Sequence, residues 1–235
     1  MTIPLWQIMI VYFISGLAAD RRVCRNILLP EGYEARFLDW IDPVKKETLE
    51  EYSLRLAGGI DRSAPFGLIG MSMGGMIAAE IAKKYPAEFI VLISSIASAS
   101  HFPAFYRFLG RAGVHRLIPA SFLKSASVLK RLFEPGSMTD KKLLTQIILD
   151  SDPVFIRWAL AAVLKWRSTE PPENYLHIHG TRDSILPLRL VRPTHVIKNG
   201  GHMMVLNRAS EINEILRQHL LPPTHHPELR STYLP

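Results

Sequence analysis

Three residues far apart in the chain have the types needed to make and break an acyl bond: Ser72, Asp183 and His202. A serine hydroxyl attacks poorly at neutral pH. It needs an adjacent base to take its proton, and that base needs a third group to fix its tautomer. Ser72 stands in Gly70-Met71-Ser72-Met73-Gly74, a G-x-S-x-G pattern. Before it, Phe66-Gly67-Leu68-Ile69 reads as a buried strand. After it, Met76 to Tyr85 reads as a helix stopped at Pro86. A strand that turns sharply into a helix strains its corner residue, so the flanking positions must be nearly free of side chain. The turn exposes the hydroxyl and aims the first helical N–H groups at whatever it attacks. A glycine-rich turn with a chance serine is the plain alternative. The strand–turn–helix setting favours a nucleophile.

The best base is His202, in KNGGHMMVLN. It follows the last strand, THVI, and a turn of Asn199, Gly200 and Gly201, and it opens the final helical region. Of the other histidines, His177 and His179 fall inside the strand YLHIHG and are expected to pack or hydrogen-bond there. His101 and His115 fall in a helical stretch. The best acid is Asp183, just past the strand Tyr175–His179 and a turn at Gly180. An ionised carboxylate there can accept from the imidazole N–H and stabilise the imidazolium. The alternative role for Asp183 is an N-cap for Ser184–Leu188. Asp150 and Asp152 read as helix caps. Ser94 and Ser95, after FIVLIS, offer no carboxylate.

These side chains need a scaffold that brings distant loops to one rim. Apolar segments alternate with helical patterns: strands at Gln7–Ile14, Tyr33–Trp40, 66–71, Phe89–Ser94, Tyr175–His179 and Thr194–Ile197, and helices at Arg21–Leu29, Leu49–Gly58 and Glu211–Leu221. Apolar, non-alternating strands between helices predict a mainly parallel, doubly wound α/β sheet of about six strands, covered on both faces. Its crevice lies at the carboxyl ends of the strands. Between 101 and 168 the alternation breaks into helix, read as a lid. Its clearest helix is Pro153–Lys165, with Val154, Phe155, Trp158, Ala159, Ala162, Val163 and Trp166 on one face. The core is therefore expected at 1–100 and 169–221, the lid at 101–168 and an irregular tail at 222–235.

Charge is distributed unevenly. The chain holds 28 Lys and Arg against 21 Asp and Glu, a formal +7. Eleven of those cations and four of those acids lie between 101 and 168, leaving 17 of each elsewhere. Solvated helix faces explain this plainly. The functional alternative is attraction of an anion: a carboxylate-bearing substrate, a phosphate-bearing acyl carrier or an anionic membrane surface. No nucleic-acid-binding module is recognisable. Cys24 stands alone, which excludes an internal disulfide and fits a reducing, cytoplasmic setting. No metal spacing or phosphate-binding loop occurs, so no metal or cofactor is expected; His225-His226 reads as a solvated pair. The apolar start could pass for a secretory signal, but it lacks a leading Lys or Arg and overlaps a strand. It is too short to anchor in a membrane.

The chain resembles the alpha/beta-hydrolase superfamily over nearly its whole length. The residues that carry the resemblance are GMSMGG, GTRD, GGH and the loop ISGLAAD, with nucleophile, acid and base in the order Ser, Asp, His. It departs from the usual pattern in three places. The first two antiparallel strands are missing, Ser15-Gly16 replaces His-Gly, and only 18 residues separate Asp183 from His202. The resemblance implies an oxyanion hole from the backbone N–H groups of Met73 and Leu17; for ISGLAAD the alternative is a plain loop with Asp20 capping a helix. It implies a serine hydrolase acting on a small-molecule ester or thioester. Met71, Phe102, Phe105 and Trp158 are candidates for an apolar acyl pocket, or for core. Two other outcomes stay open: a carbon–carbon hydrolase or lyase using the same three residues on an anionic metabolite, and a non-catalytic ligand binder.

Overall fold

A computed structural model describes residues 8–102, 106 and 137–220. Six strands form one sheet: β1 (Met9–Ile14), β2 (Tyr33–Phe37), β3 (Phe66–Met71), β4 (Phe89–Ile93), β5 (Tyr175–Gly180) and β6 (His195–Ile197). Their order is β2-β1-β3-β4-β5-β6, and every neighbouring pair is parallel. The chain winds outward from β1 to β2, then returns to add β3 on the other side. The switch point therefore lies between β1 and β3, where an open α/β sheet has its crevice.

Strand alternation feeds two cores. Tyr12, Ile14, Phe66, Leu68, Ile90 and Leu92 point to one face. Val11, Phe13, Ile69, Met71, Val91 and Ile93 point to the other. With both faces buried, these strands must be apolar at every position, which is why they carry no period-two pattern. β2 pairs on one side only, and Glu34, Ala35 and Arg36 are exposed there. It is shorter than Tyr33–Trp40 because the chain leaves the sheet after Leu38, whose N–H donates to the Phe13 carbonyl at 2.9 Å.

The first face is covered by α1 (Leu49–Leu56), α2 (Met73–Lys84) and α4 (Pro153–Lys165). The second is covered by α3 (Met138–Asp150), α5 (Met204–Asn207) and α6 (Ala209–His219). Thus the two described helices of the 101–168 stretch pack on opposite faces of the sheet. Leu144, Ile147 and Ile148 enter one core, and Phe155, Ala159 and Ala162 enter the other. Val154, grouped with the apolar face from sequence, is 69% exposed, whereas Trp166 is buried and donates Nε1–H to Glu80 Oε1 at 2.9 Å. The expected helix Arg21–Leu29 is a single 3₁₀ turn, Arg21–Cys24, capped by Asp20. Beyond it the backbone is taken by α6: Asn213 accepts from Leu28 N–H at 2.9 Å and donates to the Asn26 carbonyl at 3.0 Å. Phe105 and the tail lie outside the described residues. Among the described residues no helix is long and apolar enough to cross a membrane.

Candidate active site

Ser72 occupies the corner between β3 and α2 with φ 52° and ψ −120°, a conformation that L-residues rarely adopt. The corner is held from outside. Ser72 N–H donates to the Ile93 carbonyl at 3.0 Å, and the Ser72 carbonyl accepts from Gly75 N–H at 3.0 Å and from Ser95 Oγ at 2.6 Å. The glycines are required by close approach. A Cβ on Gly70 would overlap the Gly74 carbonyl, and one on Gly74 would overlap the carbonyl oxygens of Ile14 and Ser15. The end of β1 thus presses on the first turn of α2.

That contact brings the β1 loop to the serine. A Cβ on Gly16 would lie 2.8 Å from Met71 Cε and 3.2 Å from Ser72 Cβ. The loop is braced by Ala19 N–H donating to the Gly16 carbonyl at 3.0 Å and by Trp40 Nε1–H donating to the Ala19 carbonyl at 2.8 Å. Met73 is the first residue of α2, so its N–H has no acceptor within the helix. Leu17 follows Gly16 in the braced loop. Asp20 also does what the plain alternative asked of it, accepting from Arg22 N–H at 2.9 Å.

The imidazole of His202 is 6% exposed and lies between serine and carboxylate. Its Nε2 is 2.9 Å from Ser72 Oγ, and its Nδ1 is 2.9 Å from Asp183 Oδ2. An ionised carboxylate only accepts, so the proton sits on Nδ1 and the Nε2 lone pair faces the hydroxyl. Asp183 is 4% exposed, and its two oxygens divide the work. Oδ1 accepts from Ile185 N–H at 2.9 Å and Leu186 N–H at 2.8 Å, while Oδ2 faces His202. No helix forms at 184–188, and the next turn, Leu188–Leu190, starts from Pro187, so Asp183 caps no helix; its Oδ1 holds the loop while its Oδ2 faces the base. Burial pushes the Asp183 pKa up, but the charge and hydrogen bond of His202, the Leu186 amide and His179 together hold it below the usual value.

The acid loop and the base loop are stapled to each other. Arg182 N–H donates to the Gly200 carbonyl at 2.8 Å and Thr181 N–H to the Ile197 carbonyl at 3.1 Å. Met71 and Phe102 are buried, the latter edge-on to Trp166. Trp158 packs at a tilt against Tyr52 with centroids 4.4 Å apart and donates Nε1–H to the Glu47 carbonyl at 3.0 Å. It borders a groove of about 1020 Å³ between the start of α1 and α4. Among the described residues no group of three His, Cys, Asp or Glu is placed to hold a metal ion.

Comparison with known proteins decides the family. The profile of the alpha/beta hydrolase family matches residues 6–215. The chain belongs to the alpha/beta hydrolase family. No curated protein matches it. Solved structures share this hydrolase's fold at low identity. It is similar to a carboxylesterase structure from the thaumarchaeon Nitrososphaera gargenis, with a TM-score of 0.71, 14% identity, and 93% of this chain and 92% of that one covered. It is similar to an esterase from Exiguobacterium antarcticum, with a TM-score of 0.69, 17% identity and coverage of 90% and 91%. It is also similar to MenH from S. aureus, with a TM-score of 0.66, 17% identity and coverage of 89% and 92%.

Two contributors to this alpha/beta hydrolase's site had no sequence signal strong enough to find them. Ser95 clamps the elbow carbonyl, and His179 stands behind Asp183, with Nε2 3.4 Å from Oδ2. His179 was expected only to pack or hydrogen-bond within its strand, with no partner assigned.

Proposed function

We propose that this alpha/beta hydrolase is a serine hydrolase that cleaves small-molecule carboxylic esters or thioesters through an acyl-enzyme. Ser72 Oγ attacks the acyl carbon and passes its proton to His202 Nε2. The N–H groups of Met73 and Leu17 receive the oxyanion of the tetrahedral intermediate. Its collapse breaks the ester or thioester bond, and the leaving alcohol or thiol takes the proton from His202. Water then attacks the acyl-serine, giving its proton to His202. The second collapse frees the carboxylic acid and returns the proton to Ser72. Asp183 holds the ring and offsets the imidazolium charge in both halves.

The observation that carries this reading is the unbroken chain of 2.9 Å contacts from Ser72 Oγ through His202 to Asp183, which sets the tautomer needed for a base. The esterase structures of similar fold support the substrate class. A fluorophosphonate probe tests it, together with a series of p-nitrophenyl esters of rising chain length. The folded protein is expected to label at Ser72 and hydrolyse the short esters, and Ser72→Ala to do neither. A folded protein that binds ligand but takes up no probe would refute the reading.

A further inference from the structure

β5 places two imidazoles where the neighbouring strands place hydrocarbon. His177 is in register with Leu92 and is 1% exposed; His179 is fully buried. Both lie on the face that receives Leu92, Ile90 and Leu68, because the intervening Ile178 belongs to the opposite core. Polar rings in such a place lose stability unless each nitrogen is used. His179 uses both. Its Nε2 is 2.7 Å from the Leu186 carbonyl and 3.4 Å from Asp183 Oδ2, and its Nδ1 is 3.3 Å from His177 Nε2.

The protons follow from the acceptors. A carbonyl can only accept, so His179 carries its hydrogen on Nε2 and donates it to Leu186, with the Asp183 carboxylate beside that N–H at 3.4 Å, close enough to feel its dipole. Its bare Nδ1 then accepts from His177 Nε2–H. Leu186 is tied at both ends, its N–H to Asp183 Oδ1 and its carbonyl to His179. The loop bearing the acid is thereby closed into a ring with His179 as one member.

We propose that His179 is a positioning residue for Asp183, fixing the carboxylate loop through the Leu186 carbonyl and setting its N–H dipole beside Oδ2, which tempers the basicity of that oxygen toward His202. This rests on the hydrolase reading above. The groups facing His179 are Asp183 and His202 on the rim and His177 behind it; His101 acts on His177 in turn. Burial keeps His179 neutral at ordinary pH, so it acts as a dipole and donor, not as a charge.

The consequence has a sign. Without the His179 N–H dipole beside it, Oδ2 holds the Nδ1 proton more firmly, so the His202 imidazolium is stabilised and the acid limb of kcat/KM moves to higher pH. In His179→Phe, kcat for a p-nitrophenyl ester is expected to fall about tenfold with KM within about twofold, as for leaving the buried Leu186 carbonyl unpaired and the acid loop untied. His179→Gln, whose amide reaches the Nε2 position, restores kcat and the limb. Separately, ¹⁵N histidine spectra of the unmutated protein are expected to show His179 as the Nε2–H tautomer. That measurement needs neither activity nor a variant that folds. An Nδ1–H tautomer overturns the proposal. So does a folded His179→Phe variant with unchanged kcat and acid limb while the parent labels at Ser72. If the parent itself fails to label, it is the hydrolase reading that falls, and the tautomer still judges the loop.

Discussion

The sharpest test of the site is Asp183→Asn, because the surrounding amides dictate how the new side chain must sit. In the parent, Oδ1 accepts from the N–H groups of Ile185 and Leu186 at 2.9 and 2.8 Å, and neither has another acceptor among the described residues. Leaving the buried Leu186 amide and the part-buried Ile185 amide unpaired costs up to roughly 1–3 kcal/mol each, so the asparagine oxygen must take the Oδ1 position. Its NH₂ group is then forced to the Oδ2 position, 2.9 Å from His202 Nδ1. A donor there drives the imidazole proton onto Nε2, where it faces Ser72 and no longer leaves a lone pair for the hydroxyl. The base is lost although the shape is kept. Wrong-tautomer substitution of a triad acid costs about 10⁴ in turnover, equivalent to ~5.5 kcal/mol of transition-state stabilisation. Steady-state kcat/KM on a short p-nitrophenyl ester reads the loss, and the thermal midpoint should move by only a few degrees because both amides stay satisfied. Asp183→Ala, a larger cut, is expected to lower the midpoint further while leaving the tautomer free. Activity of the asparagine variant within about tenfold of the parent would refute the assignment of Asp183 and the tautomer argument with it.

Two further outcomes follow from the same packing. Gly74→Ala drives a methyl into the carbonyl oxygens of Ile14 and Ser15, both backbone and neither able to yield; the variant is expected to lose at least about 3 kcal/mol in urea unfolding, beyond ordinary overpacking. His177 has its pKa pushed down to about 3 by burial and by His179. Its folded pKa lies below its unfolded value of about 6.5, so the unfolded chain binds the extra proton between those limits and stability falls as pH drops through that window. At pH 5 this group alone removes about 2 kcal/mol relative to pH 7.5. His177→Phe should flatten the slope; an unchanged slope in urea titrations at the two pH values contradicts the buried-neutral state.

Much of the architecture was legible because both faces of the sheet are buried. Phe66–Met71 and Phe89–Ile93 are apolar throughout, and a run of that kind bounded by turn residues leaves few alternatives. Ser72, Asp183 and His202 were legible by place, each just beyond a strand end. What escaped depends on partners distant in sequence. The turn after Asp20 stops at Cys24 because Asn213, far along the chain, claims the backbone beyond it. Ser95 and His179 sit in or beside strands as single polar residues, and no periodicity says which carbonyl each will meet. Asp183 illustrates a different difficulty. Helix cap and acid looked like rival roles; no helix starts there, yet one oxygen still binds two loop amides and the other is left for the imidazole.

The staple between residues 180–182 and 197–200 divides the constellation mechanically. A side chain at Gly180 would strike the Gly200 carbonyl, so the two turns ride against each other as one body hung from the outer margin of the sheet. The hydroxyl belongs to a different body, rooted mid-sheet on β3. A displacement of that margin would carry carboxylate and imidazole together and change the gap to the nucleophile before their mutual spacing. Whatever stiffens or loosens β5 and β6 therefore tunes the frequency of attack without disturbing which nitrogen carries the proton.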